Sequence, residues 1–190
     1  LSEKEKKITA YHEAGHAIVA HILPNADPVH KISIISRGRA AGYTINLPKE
    51  DKKMQSYSDF IDNMAVLLAG YIAEETYFDE VTTGASNDLE RATTIAKQLI
   101  TRFGMNKNLG SRTFGEKDEM VFLGKEIHER RDYSEKTAEV IDEEIANYIK
   151  NAQDTAKKII KENKEKIEKI VITLLKKETI EKKEFDELVS

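Results

Sequence analysis

The stretch YHEAGHAIVAH, residues 11–21, places two histidines and a glutamate inside a segment whose other residues are mostly small or apolar. Apolar residues recur here at helical spacing, which predicts a helix that packs one side on a core. Residues four apart on a helix lie on the same face, so His12 and His16 can direct imidazole nitrogens at one point. The pattern therefore indicates a metal site on a helix that also contributes to the core.

The glutamate next to the first histidine indicates which reaction such a metal site would catalyse. Zinc accepts imidazole nitrogens at about 2.0–2.1 Å, and it lowers the pKa of a bound water and polarises a scissile carbonyl. Glu13 is placed to accept the proton of that water and later to deliver it to a leaving amine. The motif thus predicts zinc-dependent hydrolysis of a peptide bond without a covalent intermediate.

The other histidines are poor candidates for a further ligand. A catalytic zinc usually has three protein ligands and one open position, and the third ligand is not within the motif. His21 is expected to turn away from the face that His12 and His16 share. His30 and His128 fall in predicted loops, where a histidine is usually a surface or turn residue.

Acidic residues from other helices are the remaining candidates for the third ligand. A carboxylate on an apolar helical stripe needs a partner, and Glu75 and Asp88 both occupy such stripes. Glu74 lies beside the stripe that carries Glu75. A helix cap or an ordinary salt bridge explains such residues equally well, and periodicity does not choose between the two stripes.

The rest of the chain is predicted to be mainly helical with a small β-sheet. Two short strands, at 31–36 and 41–48, are expected to pair antiparallel. Ser2, three residues before Glu5, and Asn87, three residues before Glu90, are each expected to cap a helix. The segment 104–133 contains four glycines and no sustained period, and it is expected to be a loop. Helices are predicted over about 2–23, 58–79, 88–103, 134–162 and 164–177, with a short one at the C-terminus.

Composition excludes several classes of protein. The 30 basic and 34 acidic residues nearly cancel, giving a net charge of −4 and no sign of a nucleic-acid-binding face. There is no cysteine, which excludes disulfides and a thiolate zinc site. No stretch approaches the ~18 apolar residues of a membrane span, and the chain is expected to be soluble.

Six stretches together resemble the protease domain of FtsH-type proteins, which are membrane-anchored, ATP-dependent zinc metalloproteases. The resemblance covers nearly all 190 residues and implies the mainly α fold of that domain, with its active site on the HEAGH helix. The stretches occur in the family's order: HEAGHA, VHKISIISRGRAAGYTINLP, LAGYIAEE, TTGASNDLERAT, FGMNKNLG and YSEKTAEVIDEEI.

The resemblance implies a role for each residue of the predicted site. His12 and His16 correspond to the two histidine ligands of one zinc ion, and Glu13 corresponds to the general base. The family's third ligand, the aspartate of its GASNDL segment, is Asp88 here. Glu74 and Glu75 fall in the family's AEE segment, where they would support the ligands or the helix packing.

The resemblance also implies how substrate is held. Gly42, Tyr43 and Thr44 match a family strand along whose edge an extended substrate binds. In strand addition of this kind, main-chain hydrogen bonds give affinity that tolerates many sequences. Gly42 would let the substrate backbone approach closely.

The resemblance further implies a place within a larger assembly. Residues 1–190 would form one metallopeptidase domain with a C-terminal helical part from about 134 to 190. These 190 residues contain neither a phosphate-binding loop motif nor an apolar stretch of membrane-spanning length, so the chain is expected to correspond to the protease domain alone. Its members form homohexamers on the cytoplasmic side of the bacterial cell membrane and degrade unfolded or membrane-extracted proteins that the ATPase delivers.

Two other classes of function compete with the zinc endopeptidase. A catalytically weak oligomerisation or adaptor module would not need the base Glu13, which argues against it. A structural metal site would need a fourth protein ligand, and no further histidine or cysteine lies at suitable spacing.

Overall fold

Side-chain caps set the first residues of several helices, and the predicted cap at Ser2 is among them. The Ser2 hydroxyl accepts a hydrogen bond from the Glu5 amide, while the Glu5 carboxylate accepts one from the Ser2 amide. Ser56 and Asp59 form the same reciprocal pair at the start of the next long helix. Such pairs satisfy amide groups that have no partner within the helix.

The computed structural model describes residues 1–117 and 129–190. The predicted fold class is confirmed, because the chain is mainly helical with a small antiparallel sheet. The helices are α1 (Glu3–Ile22), α2 (Tyr57–Phe78), α3 (Ser86–Thr101), α4 (Glu135–Glu162), α5 (Lys164–Lys177) and α6 (Lys182–Val189). The strands are β1 (Val29–Ser33), β2 (Tyr43–Asn46), β3 (Glu116–Lys117), β4 (Glu129–Arg130) and β5 (Thr179–Glu181).

The main sheet has the strand order β2-β1-β5, with both pairings antiparallel. The predicted pairing of the first two strands is thus present, with Ile32 opposite Thr44. The third strand, Thr179–Glu181, lies where the sequence predicts only a short C-terminal helix. Glu178 ends α5 in the left-handed conformation (φ 66°), which turns the chain so that the next residues pair with β1. Because β1 lies between β2 and β5, strand β2 forms one edge of the sheet.

One further prediction about local structure is wrong, and another is right only in part. The cap at Asn87 is not formed, because a 3-10 turn over Thr83–Ala85 leads directly into α3 and moves its start to Ser86. The segment predicted to be a loop contains the short β3–β4 pair, with Glu116 opposite Arg130.

Helix α1 lies at the centre of the core. All twelve residues from Thr9 to Ala20 are buried, and the helix packs mainly against α2 and also against α5. Helix α4 packs on α2 and α3, so the C-terminal helices share the core of the N-terminal elements. Among the helices of residues 1–117 and 129–190, none has both the length and the apolar character needed to cross a bilayer.

Candidate active site

Three of the predicted metal ligands meet at one point. The Nε2 atoms of His12 and His16 lie 3.0 Å apart on α1. From the first turn of α3, Asp88 Oδ2 lies 3.1 Å from His16 Nε2 and 3.5 Å from His12 Nε2. One ligand atom from each residue lies within 4.8 Å of the others, which suits a single metal ion.

The outer nitrogen of each imidazole is held by a hydrogen bond. His12 Nδ1 lies 2.7 Å from Glu74 Oε2, and His16 Nδ1 lies 2.6 Å from the carbonyl oxygen of Val66. A carbonyl oxygen only accepts, so His16 carries a proton on Nδ1, and Nε2 is the nitrogen that faces the candidate ligand group. Partners of this kind fix the orientation and tautomer of histidine ligands.

Glu74 is itself fixed by the segment that leads into α3. Its Oε1 atom accepts hydrogen bonds from the amide of Thr82 at 3.0 Å and from the hydroxyl of Thr82 at 2.6 Å. Thr82 lies six residues before Asp88. The segment between α2 and α3 therefore supports His12 through Glu74 and leads directly into the turn that carries the third candidate ligand. Sequence reasoning did not find Thr82 or the Val66 carbonyl, since neither has a local signature.

The charges around the histidines favour a cation. Burial by itself lowers the pKa of His12, but hydrogen bonds to Asp88 and Glu74 outweigh it and raise the pKa to about 10. Burial by itself raises the pKa of Asp88, but hydrogen bonds from His12 and His16 outweigh this effect and hold the pKa well below its usual range. The carboxylates of Asp88 and Glu74 thus favour positive charge at the two imidazoles, as they would favour a bound cation.

Glu13 lies beside this group and contacts the sheet. Its side chain is buried, and its Oε2 atom accepts a hydrogen bond of 2.6 Å from the hydroxyl of Thr44 on β2. Both residues line the cleft that contains His12, His16 and Asp88, whose volume is about 1960 Å³. The candidate base, the three candidate ligands and an edge strand thus line one cleft.

The predicted substrate strand lies along the same cleft. Gly42, Tyr43 and Thr44 all line it, and the guanidinium of Arg37 lies 5.1 Å from the centre of the Tyr43 ring. A side chain at Gly42 would come within 2.7 Å of the Ser33 carbonyl oxygen and of the Thr9 methyl group. Packing within the chain therefore explains this glycine, and its role in substrate binding stays a prediction.

The structure distinguishes Glu74 from Glu75, the two neighbouring acidic residues of α2 that were candidate ligands. Glu75 is exposed, and Glu74 is the buried residue of the pair, with 1% exposure. The apolar stripe predicted on α2 is largely buried, but it widens towards Ala73, so Glu74 rather than Glu75 faces the interior. Glu75 does not contribute to the ligand group.

The remaining histidines lie away from the ligand group wherever the structure describes them. His21 is exposed, and its ring meets the ring of Phe185 edge-on with the centroids 5.7 Å apart. His30 is also exposed, but it lies in β1 rather than in the predicted loop. His128 falls outside the described residues.

Gly70 on α2 keeps space free for the two imidazoles. A methyl group at this position would contact Nε2 of His12 and would come within 2.6 Å of Nε2 of His16. We expect Gly70→Ala to weaken zinc binding by at least about 10-fold, the scale of lost support around a ligand. A competitive chelator titration measures this, with circular dichroism as the check on folding. An unchanged zinc dissociation constant would show that the imidazoles can shift away from the added methyl group without a loss of zinc affinity.

The helical fold and the candidate ligand group fit the class of zinc metallopeptidases. Within that class the chain belongs to peptidase family M41, whose family model matches residues 1–188. The names of similar bacterial proteins confirm the resemblance to FtsH-type proteins.

The most similar relatives include several bacterial proteins. The chain is 51% identical over 188 residues to the ATP-dependent zinc metalloprotease FtsH 1 of Thermomicrobium roseum, covering 99% of this chain and 29% of the relative. It is 50% identical over 188 residues to FtsH 1 of Sphaerobacter thermophilus, with the same coverage. It is 48% identical over 191 residues to FtsH of Thermotoga maritima, covering 100% of this chain and 31% of the relative. The chain thus spans about three tenths of the length of these relatives.

Proposed function

We propose that this chain is the peptide-hydrolysing domain of an ATP-dependent zinc endopeptidase that degrades unfolded or membrane-extracted proteins. The observation that carries the proposal is the convergence of His12, His16 and Asp88 beside Glu13 in one cleft. The names of the relatives, each an ATP-dependent zinc metalloprotease, support the same activity.

The residues present fit one zinc ion per chain. Two imidazole nitrogens and one carboxylate oxygen form the three-ligand set typical of a catalytic zinc, which leaves a position open. His12 and His16 are oriented for this role by Glu74 and by the Val66 carbonyl. When bound there, zinc would supply Lewis acidity that polarises the scissile carbonyl and makes water easier to deprotonate.

The proposed reaction is a hydrolysis with Glu13 as the proton carrier. The Glu13 carboxylate takes a proton from the attacking water, whose oxygen bonds to the carbonyl carbon of the substrate. The carbon–nitrogen bond then breaks, and Glu13 returns the proton to the leaving amine. The ligands hold their positions throughout, and Glu74 keeps the Nδ1 proton of His12 in its hydrogen bond.

The proposed substrate is an extended chain that adds to the edge of β2. The hydrogen-bonding groups on that side are not used by β1, and main-chain pairing with them would be tolerant of sequence. Gly42, Tyr43 and Thr44 would contribute this backbone surface. The cleft also has an apolar part, formed by Phe60, Val66, Leu67, Phe103 and Met105, that can accept substrate side chains.

The proposed context is an assembly larger than this chain. In the full-length protein an attached ATPase module would unfold substrates and deliver them to the cleft, and the subunits would form a homohexamer. A membrane segment elsewhere in that protein would hold the assembly on the cytoplasmic side of the cell membrane. No nucleic-acid partner is proposed.

The test compares unfolded and folded substrates of the same sequence. Unfolding a typical domain costs about 5–15 kcal/mol, which zinc chemistry does not supply. We expect this chain with zinc to cleave a permanently unfolded variant of a reporter slowly and to spare the stable folded form. Joining the ATPase module and adding ATP should allow the folded form to be degraded.

Removal and return of zinc serve as the two controls for this comparison. Removing zinc with a chelator should stop cleavage of the unfolded reporter, and adding zinc back should restore it. Rapid degradation of the folded reporter by this chain alone would contradict the proposed division of labour. Cleavage that persists without a metal would contradict the proposed chemistry.

A further inference from the structure

The Glu13 carboxylate is held by a residue that lies 31 positions away in the sequence. The Thr44 hydroxyl donates to Glu13 Oε2 at 2.6 Å and also lies 3.4 Å from the Glu13 carbonyl oxygen. In residues 1–117 and 129–190, no other donor is found on this carboxylate. The contact joins the helix that carries the candidate base to the strand at the sheet edge.

The Thr44 hydroxyl has little freedom to move away from this contact. Its strand is paired with β1, where Thr44 lies opposite Ile32. Two residues earlier, Gly42 fits closely against Thr9 of α1 and Ser33 of β1. A β-branched side chain also has few χ1 rotamers. The backbone and the side chain therefore both hold the hydroxyl in front of Glu13.

A general base requires a defined orientation towards the proton that it removes. A carboxylate has two oxygens, and the hydrogen bond from Thr44 occupies Oε2, which leaves Oε1 for a water molecule. Displacing a reacting group by about 1 Å can cost about 100-fold in rate. A fixed carboxylate therefore favours turnover without adding binding energy for substrate.

We propose that Thr44 is a positioning residue, whose hydroxyl orients the Glu13 carboxylate towards the attacking water. The inference rests on the proposed function, since it assumes that Glu13 is the base. It assigns the Thr44 side chain to the base, while the Thr44 backbone stays available at the strand edge. The strand that would bind substrate then also aligns the base.

The test replaces Thr44 in two ways in the zinc-loaded protein. Thr44→Val keeps the branched shape and removes the donor, whereas Thr44→Ser keeps the hydroxyl. With a fluorogenic unstructured peptide as substrate, we expect Thr44→Val to lower kcat by about 10- to 100-fold. KM and zinc stoichiometry should stay within about twofold of the parent, and Thr44→Ser should retain most of the parent's kcat.

A matched control exists in the same sheet. The Thr179 hydroxyl on β5 lies 3.1 Å from the Ser33 hydroxyl, at the opposite edge from β2. Thr179→Val therefore removes a comparable hydrogen bond without touching the base. We expect this variant to keep the kcat of the parent.

A second readout needs neither metal nor activity. In the metal-free protein, Thr44→Val, Glu13→Ala and the double variant form a cycle of thermal midpoints. Residues in contact give non-additive effects, so Thr44→Val should lower the midpoint by less when Glu13 is already alanine. Additive midpoints would show that the hydrogen bond does not stabilise the fold and would overturn the proposal.

The kinetic outcomes separate the alternatives. A rise in KM at constant kcat in Thr44→Val would assign Thr44 to substrate binding and overturn the proposal. Equal losses in Thr44→Ser and Thr44→Val would do the same, because the methyl packing would then be responsible. A parent that binds zinc and cleaves no peptide, with coupled midpoints, would refute the proposed function while leaving the contact itself supported.

Discussion

Glu13→Gln is expected to give a folded, zinc-binding protein that hydrolyses peptides at least about 100-fold more slowly than the parent. Glutamine has nearly the same shape, and its amide oxygen can still accept the hydrogen bond from Thr44. It cannot accept a proton from water at neutral pH, and the loss of a general base typically costs about 10²–10⁴ in rate. The expected effect is therefore on turnover and not on the metal.

Three measurements on Glu13→Gln separate these effects. Zinc content and the thermal midpoint should match the parent, while the rate on an unstructured substrate such as casein falls. Glu75→Gln is the matched control, because Glu75 is exposed on α2 and lies outside the ligand group. Hydrolysis by Glu13→Gln at the parent's rate would remove Glu13 from the role of base.

Asp88→Ala is expected to lower zinc affinity by more than about 100-fold. Loss of a residue that merely supports a ligand costs about 10–100-fold, and Asp88 is proposed as a ligand itself. The substitution leaves two imidazoles, which is one donor short of the usual catalytic set. A chelator competition measures the change.

The control for Asp88 lies on the same helix. Glu90 is exposed two residues further along α3, so Glu90→Ala removes a carboxylate without approaching the histidines. Its zinc affinity should equal that of the parent. Unchanged affinity in Asp88→Ala would exclude Asp88 from the site, and the buried Glu74 would then be the next residue to test.

The elements that sequence predicts well are those with local causes. The cap at Ser2 and the pairing of β1 with β2 both follow from residues that are close in sequence. The strand at Thr179–Glu181 was missed because its partner is about 150 residues away and its own pattern is too short to show a period. The start of α3 was misplaced because the 3-10 turn before it has no sharp sequence boundary.

In the candidate site, too, the features that depend on local sequence were predicted and those that depend on contacts between distant elements were not. The spacing of His12 and His16 on one helix predicts their shared face, which the structure shows. Choosing between acids on different helices requires knowing how those helices cross, and periodicity along α2 gave the wrong member of the Glu74–Glu75 pair. The resemblance to a family, rather than the pattern of residues, singled out Asp88.

The most direct measurement of the central claim is the position of the metal. Diffraction from crystals grown with zinc, recorded on both sides of the zinc absorption edge, locates the ion without assuming its ligands. One anomalous peak per chain is expected, bounded by Nε2 of His12, Nε2 of His16 and the carboxylate of Asp88, with one side open to the cleft. A peak elsewhere, or an ion closed off by a fourth protein ligand, would contradict the account.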